Sequence, residues 1–214
     1  MEGYREIERF NEKRVKISVV ESVSSGVKNI VKLYPNSVAL RAETVWLQKF
    51  AKSPTVRVPK IIRAEDHEIL LEYISGRTLL QELIDGAMFK VNMLAGLLAR
   101  YERAFFEESG GYVFDEMNLH GYIMRGGLLN GFDFVSARPG VIEELPSETV
   151  ATVLVDTRIS DVRKQLFIRE FMRIFGGSVL QYKERILALM KDKIDRYGVK
   201  GVTVDELYKI VGKV

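Results

Sequence analysis

Residues 68–79 read EILLEYISGRTL, and this stretch decides how the rest of the chain is divided. The apolar run Ile69–Leu71 is typical of a strand, Ser75-Gly76 is a turn signal, and TLLQELID from Thr78 predicts a short helix. Strand patterns dominate before this turn and helical patterns dominate after it. The sequence therefore predicts a β-rich part over residues 1–75 and a helical part over residues 76–214.

The β-rich part is predicted to hold a small sheet and one helix. Alternating Val15, Ile17 and Val19 suit a half-buried strand. Leu40, Leu47 and Phe50 recur at helical spacing, with Trp46 adding apolar bulk. The predicted segments are strands over 14–22, 27–34, 60–64 and 68–73, and a helix over 38–51.

The helical part is predicted to begin with a short helix over 78–85 and a long apolar helix over 89–106. Leu94, Leu98 and Tyr101 share one face of the long helix. Gly126-Gly127 predicts a tight turn within a loop-and-hairpin stretch over residues 110–140. Further helices are predicted over 146–156, 160–175, 178–197 and 203–211.

Composition excludes several kinds of protein. The chain has 214 residues, of which 47% are hydrophobic and 29% charged, a balance that excludes wholesale disorder. It has no cysteine, which excludes disulfides, thiolate zinc sites, iron–sulfur clusters and a cysteine nucleophile. Its 2 histidines exclude a His-rich metal centre.

Charge and hydrophobicity bear on partners and location. The 32 basic and 29 acidic residues are interspersed, whereas a nucleic-acid-binding protein usually concentrates its basic residues on one face. No apolar run approaches the roughly 20 residues that span a bilayer, and the charged N-terminus lacks the apolar core of a signal peptide. We therefore expect a cytoplasmic protein with no membrane and no nucleic-acid partner. Abundant Glu, Lys and Arg with no Cys favour a thermophilic source.

Three places along the chain carry residues suited to nucleotide chemistry. Lys32 and Glu43 could orient a phosphate together, or could each lie on an ordinary solvated surface. The stretch 70–79 could offer backbone groups to an adenine edge, or could simply connect two parts of the chain. Asp133, beside apolar residues, needs a partner such as a divalent cation or an arginine.

The order of these places resembles the protein-kinase-like superfamily. The chain is most similar to its small, atypical branch, which contains aminoglycoside phosphotransferases, lipopolysaccharide kinases and short archaeal kinase-like proteins related to the RIO group. The matching stretches are VKLYP with RAETVWLQKF, then VPKII with EILLEYISGRTL, then DEMNLHGYIMRGGLLNGFDF. The resemblance spans most of residues 14–175 and implies a two-lobed α+β fold with ATP and magnesium as cofactors.

The resemblance also assigns roles to individual residues. Lys32 resembles the nucleotide-orienting lysine of the third strand and Glu43 its helix partner. An alternative alignment places Arg41 at the lysine position. Glu72, Tyr73 and Ile74 resemble the hinge that holds adenine, and Asp133 resembles the metal-binding aspartate of the DFG segment.

The catalytic loop departs from the family pattern of an acceptor-orienting Asp followed five residues later by a metal-binding Asn. In one alignment Glu116 and Gly121 take these positions, and glycine has no side chain to bind a cation. Shifting by one residue gives Asp115 and His120, and imidazole suits magnesium poorly. The glycine-rich phosphate loop is reduced to Gly26 beside Ser22, Ser24 and Ser25.

Three hypotheses remain open from the sequence. The first is an ATP- and magnesium-dependent phosphotransferase that acts on an unidentified small-molecule or protein acceptor. The second is a catalytically degenerate kinase-like protein, a pseudokinase, that binds a nucleotide or a protein. The third is a helical adaptor with a small sheet and no relation to kinases.

Overall fold

The computed structural model describes residues 3–11, 15–199 and 203–211. The chain forms two compact units, of which the first comprises Met1–Gly76 and Asn130–Val135. The second comprises Arg77–Leu129 and Ser136–Val214. The sequence placed the division between residues 75 and 76, but it assigned residues 130–135 to the helical part, whereas they belong to the first unit.

The first unit contains a five-stranded antiparallel sheet and one long helix. The strands have the spatial order β1-β2-β3-β5-β4, and α1 connects β3 to β4 in the chain. Asn36 begins this helix, because its side-chain oxygen accepts a hydrogen bond from the Ala39 N–H. The elements are β1 (Tyr4–Asn11), β2 (Lys16–Ser22), β3 (Lys28–Leu33), α1 (Ser37–Phe50), β4 (Ile61–Glu65) and β5 (Glu68–Glu72).

The register of β3 determines which of its side chains share a face of the sheet. Val31 lies opposite Ser18 of β2 and Leu70 of β5, and it packs with Val20 and Leu70 in a buried cluster. Lys32 points to the other face because side chains alternate along a strand. The sequence alternation in this region therefore separates the apolar cluster from the lysine.

The second unit consists mainly of helices. Helix α3 packs along α5, and α4 packs along α6. Phe167 and Phe171 are fully buried in α5 and stack with their ring centroids 5.9 Å apart. The helices are α2 (Leu79–Asp85), α3 (Val91–Ser109), α4 (Glu144–Val155), α5 (Asp161–Phe175), α6 (Lys183–Tyr197) and α7 (Val204–Val211).

Short strands complete the second unit. Three of them form a small sheet with the order β6-β8-β9, and β7 pairs with β10. Gly126 and Gly127 form the turn between β8 and β9 with φ of 59° and 75°, a conformation that two-residue hairpin turns require and glycine adopts without strain. The strands are β6 (Arg77–Thr78), β7 (Tyr112–Phe114), β8 (Tyr122–Arg125), β9 (Leu128–Gly131) and β10 (Ala137–Pro139).

Most predicted elements are present, and the predicted α+β class is confirmed. The alternative that placed Arg41 on the third strand is wrong, because residue 41 lies inside α1. The helical-adaptor hypothesis is wrong as well, because the first unit carries a five-stranded sheet. Strand β1 was missed, and Arg14, where the first predicted strand began, lies outside the described residues.

None of the helices in the described ranges combines the length and the hydrophobicity that crossing a membrane requires.

Candidate functional site

Lys32 and Glu43 form a buried ion pair in the first unit. Lys32 lies on β3 and Glu43 on α1, and the Lys32 Nζ donates a hydrogen bond of 2.5 Å to Glu43 Oε1. Lys32 is 1% exposed and Glu43 is completely buried. Charged side chains are rarely buried to this extent unless they are paired. The sequence therefore identified two residues that the fold brings together, and it named them as a pair.

The Lys32 ammonium group also contacts the segment that carries Asp133. Its Nζ donates a 2.9 Å hydrogen bond to the carbonyl oxygen of Phe132, the residue directly before Asp133. This segment is tied to the first unit by a bridge between Arg57 and Asn130 and by the ring of Phe134, which is buried near Phe50. The backbone beside Asp133 is thereby fixed at the lysine.

The charges around Glu43 act on it in opposite directions. Burial raises the pKa of Glu43, the positive charge of Lys32 lowers it, and the negative charge of Asp133 raises it again. The net result is a pKa above the ordinary value of the carboxyl group. The effect of Asp133 indicates that its carboxylate lies within electrostatic range of the Lys32–Glu43 pair.

Tyr34 belongs to the same cluster, although the sequence analysis did not single it out. Its ring centroid lies 5.7 Å from the Lys32 Nζ, and the side chain is 5% exposed. Burial first, and then the negative charges of Glu43 and Asp133, raise the pKa of its hydroxyl group. Its position two residues after Lys32 is a sequence signal that could have identified it, since residues two apart in extended chain face the same side.

The predicted adenine-binding hinge lies at the end of the first unit's sheet. Glu72 is the last residue of β5, and its N–H donates a 2.9 Å hydrogen bond to the Lys60 carbonyl. The Tyr73 ring has the Lys28 Nζ 5.9 Å from its centroid, and Ile74 is buried. The three residues are thus consecutive at the point where the chain leaves β5.

The serine-rich turn between β2 and β3 is closed by its own hydrogen bonds. The Gly26 N–H donates to the Ser22 carbonyl at 2.8 Å, and the Ser22 N–H donates to the Val27 carbonyl at 2.9 Å. Gly26 has φ of 67°, in the left-handed region that glycine favours. The turn is therefore a tight, internally bonded connection.

The predicted acceptor-orienting acids lie in the second unit, in the segment 115–121. Asp115 is exposed and forms an ion pair of 2.8 Å with Arg138. Arg138 also pairs with Glu144 at 2.6 Å, and Arg185 pairs with the same Glu144 oxygen at 2.8 Å. Asp115 is therefore at one end of a row of side chains whose charges alternate in sign.

Glu116 is less exposed than Asp115, and its carboxylate lies 3.8 Å from the Arg196 guanidinium group.

A second buried lysine–glutamate pair holds the backbone of this segment. Glu148 of α4 and Lys193 of α6 form an ion pair, and the same Glu148 oxygen accepts a 3.0 Å hydrogen bond from the Met117 N–H. Both charged side chains are less than 8% exposed. This pair was not predicted from the sequence, because a Glu and a Lys within helices are usually part of a solvated face.

His120 and Gly121 occupy a short 3-10 helix over Leu119–Gly121. The His120 N–H donates to the side-chain oxygen of Asn118 at 3.0 Å. Desolvation lowers the pKa of the His120 imidazole, the positive charge of Arg158 lowers it further, and Asp156 opposes both. In the alignment that places Gly121 at the position of the metal-binding asparagine, no side chain is present to bind a cation, whereas the other alignment places the His120 imidazole there.

The side chains that could bind a metal ion are spread apart in the described part of the chain. Within those residues, no three His, Asp or Glu side chains come together in a way that could hold a metal ion. Magnesium commonly binds through one or two carboxylates together with substrate phosphates, keeping several waters. A single carboxylate such as Asp133 fits that mode of binding, whereas the residues that the structure describes form no all-protein magnesium cage.

The comparisons with known proteins support the fold alone. No protein-family model matches the sequence, and no curated protein matches it. Among solved structures, the chain is similar to the PK-1 kinase of Cydia pomonella granulovirus, with a TM-score of 0.50 and 12% identity over 64% of this chain. It is also similar to Rv3197 of Mycobacterium tuberculosis, solved with erythromycin, with a TM-score of 0.51 and 12% identity over 86% of this chain.

These likenesses show that the chain has a kinase-like fold, as the sequence motifs predicted. The chain spans 55% of the length of the viral kinase and 59% of the length of Rv3197. At this level of identity the match concerns the path of the backbone, and the chemistry has to be argued from the side chains.

Proposed function

We propose that the protein is an ATP- and magnesium-dependent phosphotransferase of the atypical kinase type. The observation that carries the proposal is the buried Lys32–Glu43 pair, whose lysine also bonds the residue before Asp133. A lysine on the third strand that is held by a helix glutamate, with an aspartate nearby, is the arrangement with which kinases bind nucleotide phosphates and their metal.

Each residue of the first unit has a stated role in this proposal. Glu43 holds the flexible stem of Lys32, so that the ammonium group is aimed at the phosphates. Lys32 has three N–H donors, and Glu43 and Phe132 take two of them, which leaves one for a phosphate oxygen. Glu72, Tyr73 and Ile74 would hold the adenine edge. Asp133 would hold magnesium, which when bound neutralises charge on the transferring phosphoryl group.

The acceptor is a hydroxyl group of a small molecule or a protein. We propose that Asp115 or Glu116 orients it and accepts its proton. Asp115 has an ion-pair partner in Arg138, which fixes the direction of its carboxyl group, and a carboxylate has enough lone pairs to accept a further hydrogen bond. Orientation and charge account for most of the catalysis in phosphoryl transfer, so a carboxylate in either position suffices for a slow reaction.

A second candidate function is nucleotide binding without phosphoryl transfer. Gly121 favours it, because a glycine at the position of the metal-binding asparagine supplies no ligand. Loss of one metal ligand costs about 3 kcal/mol, which corresponds to roughly a hundredfold in rate on the scale of 1.36 kcal/mol per factor of ten. Under this alternative the Lys32 cluster retains its role and the segment 115–121 has none in chemistry.

Titration calorimetry with MgATP tests the nucleotide site. The wild type should bind, and Lys32→Ala and Asp133→Ala should weaken binding at least tenfold. The exposed residues Lys16 and Asp195 provide controls, since Lys16→Ala and Asp195→Ala remove the same chemical groups from positions outside the buried cluster. Absence of heat and of any thermal shift with wild-type protein would contradict both candidate functions.

Turnover distinguishes the two candidates. Release of phosphate from ATP, or transfer to a hydroxyl acceptor, that is lost in Asp133→Ala supports the phosphotransferase. Tight MgATP binding with no turnover across a panel of sugars, nucleosides, aminoglycosides and protein substrates supports binding without transfer.

A further inference from the structure

Two buried oxygens beside the Lys32 ammonium group, one on Glu43 and one on Tyr34, lack a hydrogen-bond partner among the described residues. Glu43 Oε2 and the Tyr34 hydroxyl oxygen are both shielded from solvent, and neither has a hydrogen-bond partner among the described residues. A buried carboxylate oxygen or hydroxyl group that lacks a partner is costly, because it has lost its bonds to water without replacement. Two such atoms in one cluster therefore call for an explanation.

The two atoms belong to side chains that interact with each other. The Glu43 charge acts directly on the Tyr34 hydroxyl, and the hydroxyl in turn lowers the pKa of Glu43. The Tyr34 N–H is bonded to the His67 carbonyl at 2.8 Å, so the backbone of Tyr34 is fixed at the end of β3. Its ring lies beside the Lys32 ammonium group at 5.7 Å. The Tyr34 hydroxyl group can donate a hydrogen bond, and Glu43 Oε2 can accept one.

We propose that Tyr34 is a positioning residue of the nucleotide site, whose hydroxyl donates a hydrogen bond to Glu43 Oε2 and so fixes the carboxylate that aims Lys32. The inference rests on the proposed function of Lys32. The two side chains already influence each other as hydrogen-bonding groups, which raises the pKa of Tyr34 and lowers that of Glu43, although neither oxygen has a partner of good hydrogen-bond geometry among the described residues. The bond would satisfy both buried atoms at once.

The surrounding charges explain why this bond matters for Lys32. Glu43 faces Lys32 of β3 and Tyr34 directly after that strand, and it lies within electrostatic range of Asp133. Asp133 repels its carboxylate, while Lys32 is shared between Glu43 and the Phe132 carbonyl. A carboxylate that is held by one oxygen only can swing about that bond. A second bond from Tyr34 removes this freedom, and the ammonium group keeps one direction.

The melting temperature without nucleotide tests the hydrogen bond itself. Tyr34→Phe removes only the hydroxyl oxygen, and Tyr4→Phe is the matched control, because Tyr4 packs on the Val20–Val31–Leu70 cluster on the opposite face of the sheet. We expect Tyr34→Phe to lower the melting temperature by about 2–4 °C and Tyr4→Phe to have a smaller effect. If the hydroxyl is idle, its removal deletes an unsatisfied polar atom, and an unchanged or raised melting temperature would overturn the inference.

Affinity for MgATP tests the positioning role. Tyr34→Phe should weaken binding about tenfold, the size expected for one hydrogen bond to a charged group, and Tyr4→Phe should bind as the wild type does. A lower melting temperature with unchanged MgATP affinity would overturn the positioning role. Wild-type protein that does not bind MgATP would contradict the proposed function, whereas the melting temperatures would still decide whether Tyr34 bonds Glu43.

Discussion

Each compact unit buries a lysine–glutamate pair, and the two pairs use their polar atoms differently. In the second unit, Glu148 binds Lys193 and also accepts the Met117 N–H, so the pair holds a loop. In the first unit, Glu43 binds Lys32 through one oxygen, and its other oxygen has no partner among the described residues. Both pairs therefore bond one backbone group, the Phe132 carbonyl in the first unit and the Met117 N–H in the second, but only the first keeps a buried carboxylate oxygen without a partner among the described residues.

The number of polar atoms left without a partner distinguishes a structural ion pair from one that takes part in function. Burying two charges contributes little net stability, because desolvation offsets their attraction. A pair that also bonds a backbone group offsets the desolvation cost by stabilising the segment that it holds in place. The first pair also fixes the Phe132 carbonyl, but one buried Glu43 oxygen is not used by the backbone or by the lysine, and this favours a role at a ligand site.

The largest expected effects come from removing one lysine of each pair. Lys32→Met and Lys193→Met each leave a buried carboxylate without its cation, and each should lower the free energy of unfolding by about 3–5 kcal/mol. Urea denaturation measures this. MgATP binding should disappear in Lys32→Met and survive in Lys193→Met. Equal loss of binding in both variants would show that the two pairs do not differ in function.

Replacing both members of a pair by apolar residues measures how much stability each pair contributes through its other hydrogen bonds. Lys32→Met with Glu43→Leu removes both charges, and the Phe132 carbonyl that loses its donor is only part-buried and can bond water instead, so stability should return to within about 1 kcal/mol of the wild type. Lys193→Met with Glu148→Leu should stay about 1–3 kcal/mol below the wild type, because the buried Met117 N–H loses its acceptor. Complete recovery in the second double variant would contradict the anchoring role of Glu148.

Glu102 of α3 provides a buried carboxylate without a lysine. It accepts a 2.6 Å hydrogen bond from Thr149, no cation in the described ranges pairs with it, and burial followed by the nearby Glu148 charge keeps its pKa well above the ordinary value of 4.5. The folded state therefore keeps the proton at pH values where the unfolded chain has released it. Stability should fall as the pH rises above 4.5, by up to about 1.4 kcal/mol per pH unit, until the folded-state pKa is reached.

The variant Glu102→Gln should remove this pH dependence, because the neutral amide imitates the protonated acid. We expect it to be more stable than the wild type at pH 7 and similar to it near pH 4. Unfolding by urea across that pH range measures the effect. If the free energy of unfolding depends on pH in the same way in both proteins, Glu102 is ionised in the folded state.

The smallest expected effect concerns the exposed chain of charges at Asp115. Arg138 and Asp115 are both about half exposed, so Arg138→Ala should change the free energy of unfolding by less than about 1 kcal/mol, and less still in high salt. If Asp115 orients the acceptor, the same variant should change the rate of phosphoryl transfer more than it changes stability. A large loss of stability that salt does not reduce would contradict the interpretation of Asp115, Arg138 and Glu144 as a network of surface charges.

Sequence patterns predicted the parts of the fold in which local periodicity and tertiary packing agree. The alternation before Lys32 and the apolar stripe of α1 have clear periods, and both elements formed. Strand β1 was missed because Arg5, Glu6, Glu8 and Arg9 give it the composition of a solvated segment. It is an edge strand, and its register shifts between Glu6 and Glu8, which interrupts the two-residue alternation.

The site was only partly predictable for a different reason. Lys32 and Glu43 could be named because a family pattern places them at recognisable positions. The Phe132 carbonyl carries no sequence signal, since every residue has one, and its contact with Lys32 joins residues 100 positions apart. Glu148 and Lys193 are likewise 45 residues apart, and neither is distinguishable in sequence from a helix-surface residue.

The first unit is discontinuous in the chain, since residues 130–135 complete it. A ribosome builds a protein from its N-terminus, and domains generally fold as units once their residues are available. The nascent sheet must therefore wait for Phe132 and Phe134 before Lys32 and Phe50 acquire their final neighbours. Until then the Lys32 ammonium group has one native acceptor fewer, so the site around it is completed later than the sheet that carries it.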